Sequence, residues 1–441
     1  MTDPQHAPEP DHAAGRRTRS RWRAAGLAGV TGLALSTVGV AATPAAGRTL
    51  PVPDDRPATG SHNAGKGGKG GKGGKGTPVP CDADALIAAI TLANARGGAT
   101  LNLTTDCTYL LTADLDGAGL PAITTPITLN GGKHTTIERA AATDQFRLLT
   151  VTAGGNLTLN KLKLTGGHTP DDGDGGAILV NAGGTLTTNH STITRNIAEN
   201  NGGGIANNGT TRVKHTTIER NAASGDGGGI ASVGTLDISK SRLHANTAFS
   251  GAGVSSEGAA QVEHSNITAN QAAGVVGGIL MSGGTITNTK ITENTALEIG
   301  GILANTDTQL TLRSVTIAGN TATVGRGGGL GINSGASVVV ADSVVADNTA
   351  DSLGGGIFNL AEIVVRDTKV TGNQSGRQGG GIYTNTSATL FDTKIVKNTA
   401  ITEGGGIFNE GGGTVELNTA TGTIVIKNRP DNCVNVPGCA G

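Results

Sequence analysis

The sequence predicts an all-β solenoid, a parallel β-helix of short stacked strands, on three observations. The first is a motif returning from Gly175 to Asn409: two or three glycines, an aliphatic residue, an alternating apolar run and an asparagine. The asparagines are Asn196, Asn221, Asn246, Asn270, Asn294, Asn320, Asn348, Asn373 and Asn398, spaced 25, 25, 24, 24, 26, 28, 25 and 25 residues apart. A fixed period of this size marks a repeat architecture. The second is the alignment of aliphatic residues once the coils are set on that asparagine. Three positions before it come Ile193, Ile218, Leu243 and their successors; eight before it come Val213, Ile238 and Val262; after the glycines come Ile205, Ile230 and Val254. Three inward-facing columns imply three short strands per turn, with small residues such as Ser191 and Thr216 at the bend between the first two. The third is composition: 73 glycines and 2% aromatic residues in 441 suit thin aliphatic layers and would break a helical solenoid.

The elements follow in order. Residues 1–42 have the make-up of an export signal: Arg16, Arg17, Arg19, Arg21 and Arg23, an apolar run from Ala24 to Val40, then small residues around a cleavage point after Ala42, with Ala45 or Ala46 as later alternatives and an uncleaved anchor as the rival reading of the apolar run. Residues 43–80 form a tether in which Lys66, Lys69, Lys72 and Lys75 are spaced among glycines with nothing apolar to bury. At 81–97, Asp82 is placed to cap a short helix carrying Leu86, Ile87, Ile90 and Ala93 on one side and ending at Gly97-Gly98, a lid for the first coil. Residues 98–428 form the β-helix, about twelve coils and roughly 55 Å long at the spacing of paired strands. Residues 429–441 are a tail. Cys81 and Cys107, nearly one repeat apart, are placed to staple the first coil, and Cys433 and Cys439 to close a small loop in the tail. The asparagine column has a structural use: stacked amides hydrogen-bond from coil to coil and satisfy backbone at a bend.

The glycine-glycine-glycine-isoleucine blocks, as at Gly404 to Ile407, and the asparagine-threonine-alanine endings, as at Asn294-Thr295-Ala296, resemble the repeats of secreted actinobacterial proteins in the pectate-lyase-like superfamily. The resemblance runs from about Cys81 to Cys439 and implies a right-handed helix. It implies little about activity, because that superfamily holds lyases, hydrolases, adhesins and passenger domains.

From Cys81 onward, 22 Lys and Arg stand against 29 Asp and Glu, a net charge of −7, which argues against a nucleic-acid partner. Hydrolysis of a glycosidic bond needs two carboxyl groups about 5–10 Å apart. Asp171, Asp172 and Asp174 are the best such cluster, superficially similar to the paired aspartates of polygalacturonases but without that family's glycine-histidine element; a solvated loop is the plainer reading. Asp342, Asp367 and Asp392 align six positions before the asparagines, in a column that begins His190, His215, Lys240 and His264. Three aspartates one coil apart could gather calcium or bind a basic partner, with outward-pointing solvated side chains the plainer reading; no cofactor other than calcium is expected. Phe358, Tyr383 and Phe408 occupy one outward position in three successive coils, an apolar strip for sugar rings or a partner unless the C-terminal tail covers it. The functional expectation is a monomeric extracellular or cell-surface scaffold that binds polysaccharide or another surface component, with no integral membrane association after cleavage. The alternative is a polysaccharide-degrading enzyme, a glycoside hydrolase or a calcium-assisted lyase.

Overall fold

Each regular coil contains four strands, one more than the aliphatic columns indicate. In one coil they are Thr185–Asn189, Thr192–Thr194, Ile197–Ala198 and Ile205–Asn207, here numbered first to fourth. Each pairs in parallel with its counterpart one coil later: Leu186 with Thr211, Ile193 with Ile218, Ala198 with Ala223, Ile205 with Ile230. The additional strand is the two-residue piece directly after the asparagine. Its inward residue is small, Ala198, Ala248 or Ala296 and their equivalents, so a search for aliphatic columns passes over it.

This computed structural model describes residues 76–440; the segment expected to be an export signal and most of the one expected to be a tether lie outside the described residues. The four strand types form sheets of 14, 13, 9 and 12 strands, and the whole is a right-handed parallel β-helix of about 14 turns. The count exceeds twelve because both ends add rungs. Thr77–Val79, within the stretch assigned to the tether, pairs with Leu101–Leu103. At the other end Cys433–Val434 pairs with Ile407–Phe408, so the tail continues the fourth sheet. Helix α1 (Ala83–Ala95) begins where the Asp82 carboxylate accepts from the Ala85 N–H at 2.8 Å, and ends with Gly98 N–H on the Ala93 carbonyl at 2.9 Å. Its buried residues Leu86, Ile90 and Ala93 join the same core as Val79 and Leu101, while Ile87 is half-buried. Cys81–Cys107 and Cys433–Cys439 are both disulfide-bonded.

One aliphatic core runs the length of the stack, from Val79 to Val425. Burying each such Ile, Leu or Val contributes about 1.5–3 kcal/mol, so the fold rests on many repeated small layers.

Two bends share one construction in most coils: a residue with left-handed backbone, then a buried polar residue that reaches along the stack; Leu162 and Val315 are apolar exceptions at the bend between the first and second strands. At the bend between the second and third strands the left-handed residue is Arg195, Arg220, Ala245 or an equivalent, followed by the asparagine. The Asn246 Nδ2 donates to Asn270 Oδ1 at 3.0 Å and to the Ile218 carbonyl at 3.0 Å, and its Oδ1 accepts from both Nδ2 and the backbone N–H of Asn221. Every donor and acceptor of a fully buried amide is thereby used. The row extends beyond Asn398 to Asn428 and Asn432. At the bend between the first and second strands the left-handed residue is His190, His215, Lys240 or an equivalent, followed by a buried hydroxyl: Thr216 N–H donates to Ser241 Oγ at 3.1 Å, and Ser241 N–H to Ser265 Oγ at 3.1 Å.

Candidate functional site

The three aromatic side chains stand on the outer side of the fourth sheet because Phe358, Tyr383 and Phe408 are each the middle residue of a strand whose first and third residues point inward. In-register pairing stacks the rings, with centroids 5.2 and 5.7 Å apart and planes within 15°. They are 4%, 3% and 7% exposed, so the strip is a covered apolar seam and not an open platform. The tail accounts for one end only: Val434 pairs with Phe408 and packs on it. Leu353 and Leu360 pack along the row, and the Arg326 guanidinium lies 4.9 Å from the Phe358 ring centre. The Tyr383 hydroxyl donates to the Glu410 carboxylate, and burial together with that hydrogen bond holds the phenol above the usual tyrosine range.

Beside the seam is a surface the sequence reading did not identify. Leu297, Glu298, Val324, Gly325, Arg326, Ser352 and Leu353 line a shallow depression of about 430 Å³ on the loops between the third and fourth sheets. Arg326 and Leu353 belong to both the depression and the seam. Phe249, Leu297 and Ile401 each follow their asparagine by three residues, and Val324 follows Asn320 by four; all four are exposed. That offset was the available signal, although polar residues such as Ser224 and Asp351 interrupt it.

The aspartate loop is divided in two. Asp171 and Asp172 are exposed, on a turn closed by Gly173 N–H to the Pro170 carbonyl at 2.9 Å. The Asp174 carboxylate instead accepts from Asn201 N–H at 3.0 Å, and its carbonyl accepts Nε and Nη2 of Arg147 at 3.3 and 3.1 Å. Burial pushes the Arg147 guanidinium down from its ordinary value, while the charges of Asp174 and Asp114 act the other way. Asp174 therefore has a local structural job, tying its loop to the following coil.

Asp342, Asp367 and Asp392 lie in one exposed row at the bend between the first and second strands, each with positive φ. Asp342 pairs with Arg313 at 3.1 Å, and the other two stand two residues before Lys369 and Lys394 on the second strand. Among the described residues, no three His, Cys, Asp or Glu side chains converge as a metal-holding group, and no helix is long and apolar enough to cross a membrane. No family model, curated protein or solved structure matches this chain.

Proposed function

We propose that this protein is an exported β-helix scaffold, released or held at the cell surface, that binds polysaccharide or another surface molecule without acting on it chemically. The observation that carries this reading is the solenoid itself. Its interior is consumed by aliphatic layers, while its outer sheets display rows of side chains repeating at about one strand spacing, a form suited to extended ligands. The apolar depression at Leu297, Val324 and Leu353 beside Arg326 offers a local contact for a sugar face or a partner loop. Export is supported by the basic-then-apolar N-terminus and by the pairing of all four cysteines, an arrangement typical of oxidising compartments. Membership of the pectate-lyase-like superfamily belongs to the same proposal and rests on the glycine-rich repeat blocks and the winding.

The deciding experiment is a binding screen of the secreted protein against pectins, alginate and host or plant glycans, with and without calcium, analysed for both retention and product. Retention without product is the expected result. Product formation lost in Asp172→Ala would establish the enzymatic alternative in its place. Failure of every surface polymer to bind would remove the scaffold reading. N-terminal sequencing of the secreted chain should begin between Thr43 and Gly47; recovery of an intact, reduced chain from the cytosol would refute export.

A further inference from the structure

The bend between the first and second strands carries an ordered gradient of charge. His134, Lys161, His190, His215, Lys240 and His264 occupy it in six successive coils, all exposed and all with φ between 47° and 55°. In-register stacking places them about 4.8 Å apart, over roughly 24 Å. The His190 and His215 rings lie parallel, with centroids 4.6 Å apart. Lys163, Lys214, Arg242 and Lys290 flank the row on the adjoining strands. Acidic company is sparse: Asp106 heads the row and reaches His134 at 3.3 Å, and Glu263 stands beside His264. That contact is the only ion pair within 4.0 Å involving these ten basic residues among the described residues.

We propose that this ribbon binds a linear glycan bearing sulfate or phosphate groups, laid along the solenoid axis. The proposal rests on the polysaccharide-scaffold reading and specifies its ligand. Left-handed backbone favours Asn, Asp and His, and later coils meet the same demand with Asn288, Asp342, Asp367 and Asp392. Backbone geometry therefore accounts for neither the lysines nor the collection of cations at one end. Like charges stacked in neighbouring strands destabilise, so a ribbon of this kind carries a cost that an anionic ligand removes. A straight row with one position per coil suits an extended chain with regularly spaced charges. A shallow depression lies on the ribbon, lined by His134, Lys161, Lys163 and His190 together with the hydroxyls of Thr136 and Thr192; these supply donors for oxyanions.

The chemistry of the donors narrows the class. Lysine and histidine act as point charges, a mode in which lysine binds phosphate well; the bidentate arginine fork, which suits carboxylate and phosphate alike, is supplied by Arg242 alone among the ten. Nucleic acid is disfavoured because no Phe, Tyr or Trp stands in the ribbon to stack bases and because the chain from Cys81 onward has a net charge of −7. A second copy of the chain is disfavoured because Asp342, Asp367 and Asp392 are interleaved with Arg313, Arg366, Lys369 and Lys394 and present no acidic strip.

The test uses the full secreted chain on immobilised dextran sulfate, with neutral dextran, polygalacturonate and single-stranded DNA as comparisons. Dextran sulfate should retain it and neutral dextran should not, with affinity falling steeply as salt rises. The variant Lys161→Gln/Lys163→Gln/Lys214→Gln/Lys240→Gln should bind about tenfold more weakly or worse and show a shallower salt dependence. Lys369→Gln/Lys394→Gln should bind as the parent does. Neither variant should melt below the parent, since every replaced side chain points outward; the fourfold variant should melt slightly higher as like-charge repulsion is relieved. Unchanged affinity in the fourfold variant, equal retention by neutral dextran, tighter binding to polygalacturonate, or tighter binding to DNA would each overturn the proposal. If neutral or carboxylated glycans are retained by the parent and by the fourfold variant alike, the ribbon assignment fails and the scaffold reading stands; if no glycan is retained, both fail.

Discussion

Two bends in every coil are built alike and have diverged in opposite ways. After Arg195, Arg220 and Ala245 the chain places an asparagine in all nine regular coils; the position occupied by His190, Lys240 and Asp342 varies freely in charge and size. The asparagine is fully buried, whereas the variable residue is exposed. Inside, the identity of the side chain is fixed by hydrogen bonds that no other residue can complete; outside, only the backbone angle is fixed. Function can therefore be written on the outer column at little structural cost.

The sharpest way to break this contrast is Asn246→Asp. One carboxylate oxygen would still accept from Asn221, but the other would face Asn270 Oδ1 and the Ile218 carbonyl, where Nδ2 now donates. A buried charge opposed by two acceptors should cost about 3–5 kcal/mol at neutral pH. Because the aspartate pKa would be raised in the folded state, the penalty should shrink as pH falls through that value and the protonated carboxyl becomes a donor. Asn246→Ala should cost about 3 kcal/mol, with no recovery on acidification, because it orphans the groups around it. Denaturant melts across pH, with hydrogen exchange localising the opening to neighbouring coils, would check both. An Asn246→Asp protein as stable as the parent at neutral pH would end the argument that the inner column is fixed by its amide.

A smaller loss is expected from Ser241→Ala, on the inner side of the variable bend. It removes the acceptor for Thr216 N–H and should cost about 1 kcal/mol. Nature has already made a related change: Val315 occupies the equivalent position, buried and without a hydroxyl. A loss as large as that for Asn246→Ala would show that the two inner columns are equally demanding and that Val315 is compensated elsewhere.

The fold was legible because burial at one position per coil selects one residue class, and repetition turns that selection into a column. The aliphatic columns, the asparagine row, the helix capped by Asp82 and both disulfides follow from this or from local chemistry. The third strand was missed because its inward residue is alanine, whose small side chain suits a tight corner and gives no hydrophobic signal. The end rungs at Thr77–Val79 and Cys433–Val434 were missed because glycine-lysine tether and tail surround them. Candidate sites were less legible. Phe358, Tyr383 and Phe408 do point outward, but whether an outward row is open depends on what Leu353, Leu360 and Arg326 do, and those lie off the repeat. Net charge also averaged away the basic ribbon, since the acids that balance it lie elsewhere, Asp342, Asp367 and Asp392 among them at the far end of the same column.

Backbone strain provides a finer test. Ala245 and Ala269 hold φ of 52° and 53°, which costs an L-residue with no compensating side-chain hydrogen bond about 1–2 kcal/mol. Ala245→Gly should relieve that strain and lose part of the gain to greater freedom in the unfolded chain, leaving a net stabilisation of about 0.5–1 kcal/mol in a denaturant melt. Destabilisation would mean that the Ala245 methyl has packing value that its half-buried setting does not suggest.

The smallest effect should come from the outer column itself. His215→Asn keeps a residue that accepts left-handed backbone, leaves Ser241 in place to receive the Thr216 N–H, and removes the ring stacked on His190 at 4.6 Å. Exposed stacking of this kind adds little, so stability should stay within about 0.5 kcal/mol of the parent. Asn288 already fills the same position three coils on, with φ of 47°. His215→Val, with a branched side chain that resists positive φ, should by contrast lose about 1–2 kcal/mol although it is equally remote from the core. The pair separates the two requirements of the position: a backbone the residue must tolerate and a side chain it is free to choose. If asparagine and valine cost the same, the outer column is constrained by something other than its dihedral angle, and the freedom that lets it carry charge is lost with that result.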